Sequence, residues 1–171
     1  MESEAKAFLA TVSRFIEWIE TGKHDLISAR ELLVDLIKDI HRLEKYRDFE
    51  PMDDEFERRE HEGWKEDIQK LKDLPFQYYA EIFDPHNFEK AEVVTGDLMD
   101  DFADIYGDLY VANQALKKGY ETEALRISIS MYFMHWGYHV NSALRAIDEF
   151  YIHYYESEPG SPYNSSQSLR D

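Results

Sequence analysis

Apolar residues recur along this chain at helical rather than strand spacing. Phe8, Val12, Phe15 and Ile19 follow one another at steps of four, three and four, which predicts a first helix from Ser3 to Glu20, ended by Thr21-Gly22. A second helix is expected to start with Asp25 as its cap and to run to about Tyr46, with Leu26, Leu33, Ile37 and Ile40 on its core side and Leu36 and Leu43 alongside. Pro51 and the acidic pair after it break that pattern, and Asp53 or Asp54 is placed to cap the next helix. The third helical region, Phe56 to Leu74, is the least regular. Gly63 interrupts it at a cost of ~1 kcal/mol relative to alanine, and Trp64, Ile68 and Leu71 form its apolar side. Pro75 closes it. The dense aromatic stretch from Phe76 to Phe83 reads as a plug across the end of a bundle or as the wall of a pocket, and Asp84-Pro85 opens a loop.

A fourth helix begins near Asp97, with Thr95 as its expected cap. Leu98, Phe102, Ile105, Leu109, Ala112 and Leu116 form one stripe, and Lys118-Gly119 supplies the stop. The fifth is long, from Glu121 to Tyr154, with Leu125, Ile129, Tyr132, Trp136, Val140, Ala143, Ile147, Phe150 and Tyr154 facing the core; the pattern continues through Gly137, where a bend is tolerated. Apolar–polar alternation persists nowhere, so strands are not expected. The pattern predicts an all-α fold: a single-domain bundle of five or six helices over residues 1–155, followed by a flexible tail over 156–171 that is rich in Ser, Pro and Gly.

Composition narrows the function classes. Asp and Glu number 36 against 19 Lys and Arg, a formal net charge of -17, and such a surface repels phosphate backbones and anionic lipid. Nucleic-acid and membrane partners are therefore not expected; a homodimer or a protein partner is compatible with the aromatic content. Cysteine is absent, which excludes thiolate catalysis, disulfides and sulfur-ligated zinc within the chain. The opening residues MESEAKAFLATVSRF lack the basic and apolar regions of a secretory signal, and no stretch approaches the ~20 apolar residues needed to span a bilayer. These features favour a cytoplasmic, acidic, bacterial-type protein.

Candidate chemistry is concentrated in the last two helices. On a wheel of about 100° per residue with Leu98 as the core direction, Asp101 and Asp108 fall roughly 60–80° to one side, Asp104 is marginal, and Asp100 points away. With Trp136 as zero, His139 lies about 60° and His135 about 100° to one side of the last helix. These positions admit two readings. In one, Asp101 or Asp108 accepts a hydrogen bond from His139 or His135 across the helix interface, a structural Asp–His network in a domain with a binding or scaffolding role. In the other, Asp101, Asp104, Asp108, His135 and His139 are candidate ligands of a divalent metal, in a metal-binding protein or a metal-dependent enzyme. The Glu-x-x-His pairs of di-iron bundles are missing, and Trp136 stands where the glutamate of a His-Glu-x-x-His zinc motif belongs. No cofactor is expected beyond that metal, and no catalytic residue is assigned. General acid–base chemistry by the same groups would require a cavity and a substrate. Arg145 lies opposite the core side of its helix and reads as a surface cation. The remaining histidines, from His24 to His153, show no ligand spacing.

The stretches DLMDDFADIYGDLY and FMHWGYHVNSALRAI resemble a bacterial family known as domain of unknown function 5063. Its members carry an acidic helix matched here by Leu98, Asp100, Asp101, Ala103, Asp104, Ile105, Tyr106, Asp108 and Leu109. A second helix is matched by His135, Trp136, Gly137, His139, Ala143, Leu144, Arg145 and Ala146. The resemblance is clear over Val94 to Phe150. It implies a compact helical domain and carries no activity with it.

Overall fold

The computed structural model describes residues 2–52, 56, 61–82 and 85–153; of His61, Glu62, Trp64 and Asp67 it describes the backbone alone. Helix α1 spans Ser3–Thr21 and buries Ala5, Phe8, Val12, Phe15 and Ile19. Asp25 caps α2, Leu26–Ile37, by accepting the Ser28 backbone N–H at 2.9 Å. The expected continuation to Tyr46 is not α-helical: after Lys38 the chain tightens into two single 3₁₀ turns, Ile40–Arg42 and Glu44–Tyr46. These turns still bury Ile40, Leu43 and Tyr46, so the apolar spacing serves the core without a regular helix. The proposed caps Asp53 and Asp54 lie outside the described residues, as do Phe83, Asp84 and Tyr154. Helix α3 is short, His61–Gln69, and passes into a 3₁₀ turn, Lys70–Asp73. Ile68 and Leu71 are its described core contacts.

The fold is mostly helical, but it is not the pure α-bundle predicted. Strands β1 (Tyr78–Ile82) and β2 (Val93–Asp97) form an antiparallel pair in the register Tyr78↔Asp97, Tyr79↔Gly96 and Ala80↔Thr95. Thr95 is therefore a strand residue. The cap of α4 (Leu98–Lys117) is Asp97, whose side chain accepts the N–H groups of Met99 and Asp100. The ladder runs directly into the helix, because Leu98 N–H donates to the Gln77 carbonyl at 2.9 Å and Gln77 Nε2 donates to Asp97 at 2.9 Å. Helix α4 ends at the expected stop, where Gly119 has a φ of 86°, the left-handed region that an L side chain resists.

The last long helix is divided. Helix α5 (Glu121–Met131) and helix α6 (Gly137–His153) flank a π-helical turn, Tyr132–Trp136. Gly137 N–H donates to the Tyr132 carbonyl five residues back, and a Cβ at position 137 would stand 2.3 Å from that oxygen, so only glycine admits the turn. The Trp136 indole, fully buried, donates to the Ser128 carbonyl at 2.9 Å and pins the irregular turn to α5. Helix α4 packs against α1, α5 and α6, and the core lies along it, with Phe15, Phe102, Ile105, Leu109, Trp136, Val140 and Ile147 fully buried. Four rods thus carry the fold: α1, α2, α4 and the composite of α5, the π turn and α6. Residues 156–171, the expected tail, lie outside the described residues. Among the described residues no helix is long and apolar enough to cross a membrane.

Candidate functional site

Helix α4 carries Asp101, Asp104 and Asp108 on the side facing the π turn and the start of α6, while the hairpin closes over the same region from the N-terminal end of α4. The core stripe orients all of this. With Leu98, Phe102, Ile105 and Leu109 held in the core, Asp101 is 5% exposed, Asp104 and Asp108 are half-buried, and Asp100 faces solvent. Across the interface Trp136 and Val140 are buried, which leaves His139 half-buried and His135 exposed.

The two imidazoles are each held by one carboxylate. His139 Nδ1 lies 2.9 Å from Asp101 Oδ1, and His135 Nδ1 lies 2.9 Å from Asp108 Oδ2. A carboxylate only accepts, so the imidazole N–H is on Nδ1 in both contacts. The rings sit 5.0 Å apart at 68°. His139 Nε2 is in turn 3.2 Å from Asp104 Oδ2. Asp104, His135 and His139 each offer one ligand atom, and these atoms lie within 4.8 Å of one another. Of the five sequence-derived candidates, the structure gathers these three around one point. Asp101 sits on the His139 ring nitrogen that Asp104 does not meet, and Asp108 holds His135 at Nδ1.

Tyr79 completes the arrangement and was not among the candidates. Its hydroxyl donates to the second oxygen of Asp101 at 2.5 Å. Two positions along β1, Glu81 accepts a hydrogen bond from Ser142 on α6. Strand alternation puts Tyr79 and Glu81 on the same inward face, with Tyr78 and Ile82 outward. Gly96, buried and paired with Tyr79 across the ladder, makes room for this: a Cβ there would fall 2.3 Å from the phenol ring. A glycine beside two β-branched residues, just ahead of an aspartate cap, was the sequence signal for that close approach.

The electrostatics follow from burial and from crowding of like charge. Burial pushes the Asp101 carboxyl above its ordinary pKa, against the hydrogen bonds from His139 and Tyr79. Asp108 is raised for the same reason, against His135. Burial opposes charge on His139, but the hydrogen bond to Asp101 and the fields of Asp104, Asp101 and Asp100 outweigh it, and the imidazole pKa is raised. Burial, followed by the bond to Asp101, raises the Tyr79 phenol, which therefore stays a donor. Both nitrogens of His139 thus face carboxylate oxygens. The arrangement is satisfied by a doubly protonated ring, or by a cation that takes the place of the proton on Nε2.

Comparison with solved structures finds protein BF1032 from Bacteroides fragilis, similar over 90% of this chain and 94% of that one, with a TM-score of 0.65 and 16% sequence identity. At that identity the likeness concerns the fold alone. A comparison with curated proteins finds no match. The motif resemblance on α4 and α6 extends across the described domain, because the family model for the domain of unknown function DUF5063 matches residues 1–153. The helical domain with its Asp–His cluster belongs to that family.

Proposed function

We propose that the cluster binds one divalent transition-metal ion, with Asp104, His135 and His139 as its protein ligands. The observation that carries this reading is the division of labour between the ring nitrogens. Each Nδ1 is given to a carboxylate, Asp108 or Asp101, while His139 Nε2 turns to Asp104 at 3.2 Å, and one ligand atom from each of Asp104, His135 and His139 lies within 4.8 Å of the others. Metal-ligating histidines are ordinarily oriented in this way by a carboxylate on the other nitrogen, which fixes the tautomer and makes the ligand more basic. Two imidazoles and one carboxylate suit zinc, iron, manganese or nickel and leave coordination positions open. Charge balance argues the same way. Asp100, Asp101, Asp104 and Asp108 crowd two turns of α4, and like charges at this spacing repel. A divalent ion offsets that repulsion more fully than one imidazolium proton. When bound, the ion would supply Lewis acidity at a site that opens to solvent beside His135.

A second reading is favoured by the Tyr79–Asp101–His139 chain. It joins β1, α4 and α6 through one buried carboxylate and can act as a structural tie in a binding or scaffolding domain with no metal at all. Metal-free protein titrated with zinc, manganese and, anaerobically, ferrous iron separates the two readings by calorimetry with elemental analysis. The metal reading expects one ion per chain, binding abolished in a His135→Ala/His139→Ala variant, and affinity reduced about 10–100-fold by Asp101→Asn or Asp108→Asn. Absence of saturable binding at one equivalent for all three ions overturns it in favour of the structural tie.

A further inference from the structure

We propose that the groove between the β1–β2 hairpin and α6 binds an organic monocarboxylate with an aromatic or apolar body. The groove has a volume of about 490 Å³, within the ~300–1,000 Å³ range of small-molecule sites. Its floor is aromatic: Phe76 and Phe150 stack with centroids 5.1 Å apart and planes 24° apart, and Tyr79 lines the same space. Such rings bind a flat or aliphatic body by burial and stacking.

The charges on the walls decide the polar end of the ligand. Glu81, Glu149, His153 and Arg145 all line the groove. The acids are committed already. Glu81 accepts from Ser142, and Glu149 pairs with His153 at 3.0 Å. Arg145 has no ion pair or hydrogen bond with a described residue, although the chain carries 36 acidic side chains. A planar guanidinium left over at the edge of an aromatic groove matches a carboxylate in bidentate geometry. The chain's overall negative charge does not forbid this, because exposed charges farther than ~10 Å away are largely screened at ordinary ionic strength. It does limit the ligand to a single negative group, since Arg145 is the groove cation without an acidic partner among the described residues and further anionic groups would meet Glu81 and Glu149. The groove is separate from the metal cluster, although Tyr79 serves both.

The test is a titration of the full chain with phenylbutyrate, and in parallel with its neutral amide, phenylbutyramide, followed by two-dimensional NMR of backbone amides and the arginine side chains. The expected result is saturable shifts at Phe76, Tyr79, Phe150 and the Arg145 guanidinium for the acid. Arg145→Gln should weaken the acid by about two- to fivefold, the upper part of the range for one exposed charge contact, and leave the amide unchanged. Arg145 is exposed on α6, so the variant keeps its fold. Equal affinity for acid and amide, shifts confined to other surfaces, or self-association that covers the groove with a second copy would each overturn the proposal.

Discussion

Replacing Gly96 with alanine tests whether the hairpin is a working part of the Asp–His cluster. The new Cβ would lie 2.3, 2.4 and 2.8 Å from three ring carbons of Tyr79. Contacts that short are not sustained, and the rigid β2 backbone cannot retreat without breaking the ladder, so the phenol must swing out. Swinging out breaks the bond from the Tyr79 hydroxyl to Asp101. A hydrogen bond to a charged partner is worth about 1.5–3 kcal/mol. Against this, alanine lowers the entropy of the unfolded chain and stabilises by about 0.4–1 kcal/mol where the backbone conformation allows it. The φ at Gly96 is not in the left-handed region, so that gain is available. The net expectation for Gly96→Ala is a loss of about 1–2 kcal/mol. In a Tyr79→Ala background the clash and the hydrogen bond are both gone, and the same alanine should stabilise by about 0.4–1 kcal/mol. Urea unfolding of the four proteins, monitored by tryptophan fluorescence at an unchanged m-value, reads both numbers. The sign change is the signature. An alanine that costs nothing in the parent, or costs the same in both backgrounds, would refute the claim that Gly96 acts through Tyr79.

The two Asp–His pairs carry two further expectations. In double-mutant cycles, Asp101→Ala with His139→Ala should couple by about 0.5–3 kcal/mol. Asp108→Ala with His135→Ala should couple less, because the His135 side chain is 44% exposed against 17% for His139; equal coupling energies would contradict the burial argument. In metal-free protein, the His139 imidazole should titrate above the ordinary value of about 6.5, as read by side-chain NMR. A raised folded-state pKa means that the stability it contributes is complete below the unfolded pKa and is lost as pH rises through the folded one. Metal-free protein should therefore weaken as pH rises from about 6.5 through the His139 titration. Asp101→Asn, which leaves burial less opposed, should bring the titration down; a His139 pKa unchanged in that variant would show that Asp101 does not set it.

Helix existence was legible in the chain and the hairpin was not, for reasons that lie in particular residues. The stripes of α1 and α4 are wide and regular because both helices bury one face against several neighbours, and Asp25 and Gly119 stand where helix ends require them. The strands lacked the expected alternation because their outward positions are apolar as well. Tyr78 is 64% and Val93 73% exposed, so outward and inward residues read alike. The connection between the strands is also long, with no two-residue turn to announce a hairpin. Val93, Val94 and Thr95 are β-branched, and a β-branched run just ahead of an acidic cap was the available signal.

The cluster shows where wheel geometry reaches its limit. An ideal helix at ~100° per residue places Asp101 and His139 at the core boundary correctly, because each is flanked by core residues on its own rod. It cannot decide which aspartate meets which histidine, since that depends on the crossing of α4 with α6 and on the local phase of the second rod. The π turn changes that phase. It widens the helix at Tyr132–Trp136, which includes His135 and ends three residues before His139. The widening lets both rings present Nδ1 to α4, at Asp108 and Asp101, one turn or more apart on the facing helix. Such turns cost regular hydrogen bonding and recur at functional positions. Here the cost is met by the Trp136 indole on Ser128 and by a glycine that alone fits beneath the Tyr132 carbonyl. The irregularity, its glycine and the two histidines occupy eight consecutive residues, Tyr132 to His139. A regular helix through this stretch would bring His135 and His139 to α4 in a different phase from the one that meets Asp108 and Asp101.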